Sequence, residues 1–160
     1  MQLQPNSSHC FVCGLENDHG LHLRFYETAE GEVTVQTTVP EHFQGYPGIV
    51  HGGIVASLVD EALGRVHMGS AGDPRFMFTA KINVNYRKPV PTEKPIRIVA
   101  HAVKSKRRTA TSVCAIYGPD GDLLVEADAV LINIPEDMLA NANLDNLGWK
   151  IYPETEIDKL

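Results

Sequence analysis

The sequence predicts an α+β domain in which a mostly buried helix is covered by an antiparallel sheet of about six strands. Three observations lead there. One stretch carries apolar residues at helical spacing, six stretches alternate with a period of two, and the order puts two strands before the helix and a meander of four after it. The chain has 160 residues and 43% hydrophobic content, which suits one compact domain able to bury a core without staples.

Taken in order, residues 21 to 28 (LHLRFYET) and 32 to 39 (EVTVQTTV) alternate and carry β-branched residues, with Glu30-Gly31 between them as a hairpin turn. A loop rich in Gly and Pro covers 40 to 50. In the helix expected over 52 to 68, Ile54, Val55, Leu58, Val59, Ala62, Leu63 and Val66 fall on one arc. Four strands follow near 76 to 88, 95 to 104, 109 to 118 and 122 to 134, the last two joined by the turn "GPDG" at 118 to 121. The domain is expected to occupy residues 1 to 134. Residues 135 to 160 lose the alternation and read as a tail laid over the surface.

Composition excludes several classes. A formal charge of −6 and a pI near 5.6 give no general attraction for nucleic acid or an anionic membrane. No segment approaches the roughly 20 apolar residues that span a bilayer, and the start MQLQPNSSHC has neither a basic nor an apolar stretch, so a cytoplasmic protein is expected. Three cysteines, Cys10, Cys13 and Cys114, argue against a disulfide framework. The Cys10/Cys13 pair, with His9, His19 and His22 near it, suggests zinc or a redox dithiol. Structural zinc normally takes two such pairs, however, so reduced thiols in a turn, with no metal and no cofactor, are the expectation. The sequon Asn6-Ser7-Ser8 is weak for the same lack of a secretory route.

The helix is unusual in two places. Asp60 lies outside the apolar arc among Ala56, Ser57 and Gly64, where an ordinary solvent face would carry Lys, Glu or Gln, so another backbone is expected to approach closely. Glu61 sits at the opposite border with Arg65 at i+4, in position for an ion pair or plain exposure. Ahead of the helix stands His51-Gly52-Gly53. First-turn N–H groups carry partial positive charge and can polarise a carbonyl, although the two glycines also suit a plain sharp turn into the helix. A carboxylate base and backbone donors acting on one carbonyl make a hydrolytic site. Within one chain they cannot meet, because Gly52 and Asp60 are about 12 Å apart along the helix. Antiparallel packing of two copies across a two-fold axis brings Asp60 of each to Gly52 of the other, so the site is expected at a homodimer interface.

"HGGIVASLVDEALG" followed by "TAKINVNYRKP" (79 to 89) resembles the hotdog-fold acyl-CoA thioesterases, and "CFVCGLENDHGLHLRF" is similar to one branch of them. The resemblance covers roughly residues 10 to 134. It implies a long central helix wrapped by a curved antiparallel sheet, subunits paired into a continuous sheet, and possible dimers of dimers. It also implies an acyl-CoA substrate hydrolysed to acid and CoA. By the match, Gly52 supplies the amide that polarises the thioester carbonyl, Asp60 the carboxylate, which either activates water as general base or attacks directly as nucleophile, and Thr79 a hydroxyl that assists the attacking water. His51 shapes the loop, and Gly53 lets substrate come close. Many members carry Asn or Gln six residues before this histidine. Here that position is Gly45, and Gln44 takes the polar contact after a one-residue shift.

Coenzyme A carries phosphates, for which Arg87, Lys88, Lys106 and Arg107 are the candidate partners, with Lys104 and Arg108 in the same basic turn as the last two. Met77 and Phe78, with Phe76, are candidates for the acyl pocket, though such residues are more often core. Two other readings stand beside hydrolysis. One is a non-catalytic acyl-CoA-binding module. The other is a hotdog dehydratase of hydroxyacyl thioesters, which needs a histidine base that His51 is poorly placed to be.

Overall fold

The computed structural model describes residues 1–69, 74–141 and 144–153. Its strands are β1 (Gln2–Leu3), β2 (Tyr26–Ala29), β3 (Glu32–Thr38), β4 (Gln44–Tyr46), β5 (Ile49–Val50), β6 (Met77–Tyr86), β7 (Pro95–Ser105), β8 (Thr109–Tyr117) and β9 (Leu123–Asn133). The helices are α1 (Gly52–Arg65), α2 (Glu136–Asn141) and α3 (Leu144–Leu147). Seven strands form one antiparallel sheet in the order β1-β2-β3-β7-β8-β9-β6, while β4 and β5 pair separately.

The sheet wraps α1, which packs against β3, β6, β7, β8 and β9. Val55, Leu58, Val59, Ala62 and Leu63 of α1 are buried, as the period of the sequence requires. They meet the inner positions of alternating strands: Val33 and Val35, Ile96, Ile98 and Ala100, Ala110 and Ile116, and Val125, Ala129 and Leu131. Ser112, also buried, donates its hydroxyl to the Leu63 carbonyl at 2.8 Å, satisfying a group in the last turn of the helix. This is the hotdog arrangement, an α+β fold with one long helix inside a curved sheet.

All six expected strands are present, and both expected turns hold. Gly31 takes φ +71° between β2 and β3, and Gly121 takes φ +80° in the GPDG turn, where the Gly118 N–H bonds the Asp122 carbonyl. The first expected strand is shorter than its alternation. Residues 21 to 25 pair instead with the N-terminal segment, through Leu21 N–H to Phe11 O, Leu23 N–H to Val12 O and Gln4 N–H to Phe25 O. The helix stops at Arg65, and 66 to 68 are a turn.

Three features escaped the pattern. β1 is too short to alternate, β4 and β5 lie in the Gly/Pro loop, and residues 147 to 153 are not a loose covering. Ser8 N–H bonds Leu147 O, Asn6 and Lys150 exchange backbone bonds, and Arg24 donates to Tyr152 O and Pro153 O. The chain end thus clasps the N-terminal segment. Residues 142–143 and 154–160 of the expected tail lie outside the described residues. Asn6 is buried and donates to Cys13 O at 2.6 Å and Leu23 O at 2.7 Å, so its amide is engaged within the fold.

The sheet's two ends differ. β1 closes one edge with two residues, whereas β6 leaves ten residues along the other, mostly exposed and without a further strand among the described residues. A long, open edge is a template for another strand.

Candidate active site at the start of the central helix

His51 caps α1. Its Nδ1 accepts the Gly53 N–H at 2.9 Å, and its backbone N–H bonds the Phe43 carbonyl at 2.9 Å. The histidine is therefore a fixture of the helix start, as the sequence indicates. Gly53 has its amide engaged there, which leaves Gly52 as the donor position of this pair. A Cβ at Gly53 would lie 3.1 Å from His51 Nδ1, and one at Gly45 would lie 3.2 Å from His51 Cα. Both glycines are explained by the histidine. At Gly52 a Cβ would meet nothing closer than Tyr86 at 3.8 Å, so packing within the subunit does not require glycine there. At Gly45 the β4 backbone presses against His51, which leaves little room for a side chain. Gln44, beside it, is exposed.

Asp60 lies half-buried two turns along, and the Thr79 hydroxyl of β6 donates to its Oδ1 at 2.7 Å. The carboxylate is thereby oriented with Oδ2 left for other partners. Tyr86, at the far end of β6, donates its hydroxyl to the Gly52 carbonyl at 2.9 Å. Sequence reasoning gave Tyr86 no role, although it lies within the quoted TAKINVNYRKP stretch. Strand β6 therefore carries an anchor for each half of the site, Thr79 for the acid and Tyr86 for the helix start. On the helix, Ala56, Ser57, Asp60 and Gly64 form a half-buried face, and a Cβ at Gly64 would meet nothing within 4 Å.

The structure separates the basic candidates. Arg87 pairs with Glu126 at 2.8 Å and Lys88 with Asp122 at 2.9 Å, all on the surface just beyond β6. Lys106 and Arg107 stand in the β7–β8 turn, whose carbonyls are held by the Arg75 guanidinium. That turn lies near the start of β6, through β9, because Thr109 and Phe78 both register with Ile132. The ten residues of β6 at about 3.3 Å each put roughly 30 Å between the two groups. Phe78 is exposed, while Met77 is half-buried against the core.

On the other flank of α1, Arg65 is fully buried. Its Nε bonds Glu61 Oε1 at 2.9 Å, its Nη1 bonds Pro5 O at 2.5 Å, and its guanidinium lies over the Phe25 and Trp149 rings. Of the two expected roles of Glu61, the ion pair holds and plain exposure does not, because the N-terminal segment covers it. Burial pushes its carboxyl up to about 7. The Cys13 thiol donates to the Cys10 sulfur, which holds Cys10 down to about 6 and Cys13 up to about 12.

Comparison with known proteins fits this geometry. Residues 47–125, from the capping loop to β9, match the family model of the thioesterase superfamily. Over that segment, just under half of its length, the chain is similar to the thioesterase superfamily. It is 28% identical over 136 residues to the acyl-coenzyme A thioesterase THEM4 of Rattus norvegicus, covering 84% of this chain and 57% of that one. With THEM4 of Mus musculus it shares 32% over 100 residues, 61% of this chain and 42% of the other, so the chain spans about half the length of these curated relatives. A solved thioesterase superfamily protein superposes with a TM-score of 0.69 at 27% identity, covering 78% of this chain and 60% of its own. A Streptococcus pneumoniae thioesterase solved with coenzyme A shares the fold at TM-score 0.63 and 22% identity, with 70% and 85% covered.

Proposed function

We propose that this protein is a homodimeric acyl-CoA thioesterase whose two sites each draw on both subunits. The observation that carries the reading is the Thr79–Asp60 hydrogen bond, which orients a carboxylate on a small-residue helix face more than 10 Å from the donor end of its own helix. Pairing the open β6 edges antiparallel sets the start of one β6 beside the end of the other. Asp60 and Thr79 then face the partner subunit's Gly52, with the partner subunit's Tyr86 behind it. The same pairing brings Lys106 and Arg107 toward the partner subunit's Arg87 and Lys88, which gathers the four cations that one chain keeps apart. They form the phosphate-binding rim, and Phe78 together with Gln44 borders the acyl group.

In the reaction Asp60 takes a proton from water, and the resulting hydroxide adds to the thioester carbonyl carbon. The oxyanion is met by the amide of the partner subunit's Gly52 at the positive end of its helix. Collapse breaks the carbon–sulfur bond, releasing the acid and the CoA thiolate, which takes up the proton. Support comes from the named acyl-coenzyme A thioesterase relatives and from neighbours of the same fold solved with coenzyme A or acetyl-CoA. A panel of acyl-CoAs of increasing chain length, plus aromatic acyl groups, assayed for free thiol release tests the reading. Turnover that disappears in Asp60→Asn is expected. Tight binding of acyl-CoA with no thiol release by the intact chain would favour a binding module instead.

A further inference from the structure

The thioesterase reading makes no use of the cluster on the opposite flank of α1. Cys10, Cys13 and Glu61 each turn one ligand atom to a common point, and these atoms lie within 4.8 Å of one another, with Cys10 Sγ 3.8 Å from Glu61 Oε2. Two features show that the loop is built rather than incidental. The Cys10 sulfur accepts N–H groups from Val12 at 3.3 Å and Cys13 at 3.5 Å, a turn that folds the backbone around one sulfur and aims the next toward it. Gly14, which donates to the Cys10 carbonyl at 2.8 Å, leaves no space for a side chain, since a Cβ there would lie 2.4 Å from that oxygen. The carboxylate is equally fixed, because buried Arg65 takes Oε1 and leaves Oε2 facing the thiols.

We propose that Cys10, Cys13 and Glu61 bind a divalent zinc-type cation, with Arg65 orienting the carboxylate. Thiolate and carboxylate ligands suit zinc, and a tetrahedral ion with bonds of about 2.0 to 2.3 Å sets its ligand atoms some 3.3 to 3.8 Å apart, the scale of this cluster. The charges balance. Two thiolates and a carboxylate are offset by the dication and the Arg65 guanidinium in a region closed from water on most sides. Cys10 is only half-buried, so the fourth position faces solvent and takes a water. The sequence offered a single cysteine pair with His9, His19 and His22 near it; the third ligand atom comes instead from Glu61 on α1, over which the N-terminal segment folds. Arg65 stands to Glu61 as outer partners stand to metal ligands elsewhere, fixing the rotamer. The ion would pin the N-terminal segment to the helix one residue from Asp60.

The full chain, reduced anaerobically, stripped with a chelator and titrated with Co(II), should take up one equivalent with thiolate-to-cobalt charge-transfer absorption and the intense visible bands of tetrahedral cobalt. Zn(II) should displace it and raise the thermal midpoint. Cys10→Ser and Cys13→Ser should each halve the charge-transfer band and weaken affinity by at least about tenfold. Glu61→Gln should keep the two-thiolate band but bind about 10 to 100-fold more weakly. Cys114→Ala, at a buried thiol on β8 remote from the cluster, should bind normally. Absence of a thiolate band in the reduced chain overturns the proposal. So does cobalt binding that survives replacement of both Cys10 and Cys13. Closure of a Cys10–Cys13 disulfide in the presence of equimolar zinc also contradicts it, since it marks a redox dithiol. None of these readouts depends on acyl-CoA hydrolysis, so they stand apart from the test of that activity.

Discussion

The Thr79 hydroxyl on β6 donates to Asp60 Oδ1 on α1 at 2.7 Å, tying the acid of the helix to the open edge of the sheet. A hydrogen bond to a charged acceptor is worth roughly 1.5 to 3 kcal/mol, enough to select one rotamer of the carboxylate. The acid's direction is thus set by the strand that is free to meet a second copy.

Removing the acid tests its part in the chemistry. Asp60→Asn should lower kcat on the best acyl-CoA by about 10² to 10⁴-fold, the usual contribution of a general base, with an unchanged far-UV spectrum. Glu61→Gln, whose parent side chain faces the other flank, should change kcat less than a few-fold.

Thr79→Ala should lower kcat about 10 to 100-fold with little effect on KM, because the carboxylate loses its orienting donor while substrate contacts remain. Thr79→Ser keeps the hydroxyl and should recover most of the rate. Equal loss in both variants in steady-state assays would mean that the methyl group, not the hydroxyl, matters.

Tyr86→Phe removes the donor to the Gly52 carbonyl. The helix start should lose one anchor of about 1 kcal/mol, read as a fall of about fivefold in kcat/KM with the fold intact.

Much of this arrangement was legible before the structure, for reasons visible in particular residues. Val55, Leu58, Val59 and Ala62 recur at the helical period because the side of the helix that the sheet covers must be apolar, and Asp60 stood out because its neighbours on that face are small. Other relationships are invisible to local pattern. β1 is two residues long, and its pairing with β2 depends on a chain reversal over more than 20 residues. Arg65 reads as a surface partner of Glu61 at i+4, yet Trp149 and Pro5 arrive from opposite ends of the chain to enclose it. Tyr86 fits an ordinary strand position, and only the crossing of α1 over β6 brings its hydroxyl to Gly52.

The enclosure of Arg65 has a measurable consequence. Arg65→Leu leaves Glu61 without its cation and the Pro5 carbonyl without its donor, so the chain should lose about 3 kcal/mol or more in denaturant unfolding. A change below about 0.5 kcal/mol would show that the N-terminal segment adds no stability through this residue.

The shared site is tested most directly by mixing two inactive variants, Asp60→Asn and Gly52→Pro. Gly52→Pro removes the donor N–H at the first helical position, where proline is tolerated, and His51 already holds φ −59° and ψ 135°, a conformation suited to the residue before proline. Refolded together at equal amounts, half the dimers are mixed, and each mixed dimer contains one site with both Asp60 and Gly52 intact. Thiol release should therefore return to about a quarter of the wild-type rate, by the same two-copy geometry that the helix rise of about 1.5 Å per residue demands. A mixture that stays inactive, although mass spectrometry shows heterodimers, would contradict a site built from both subunits.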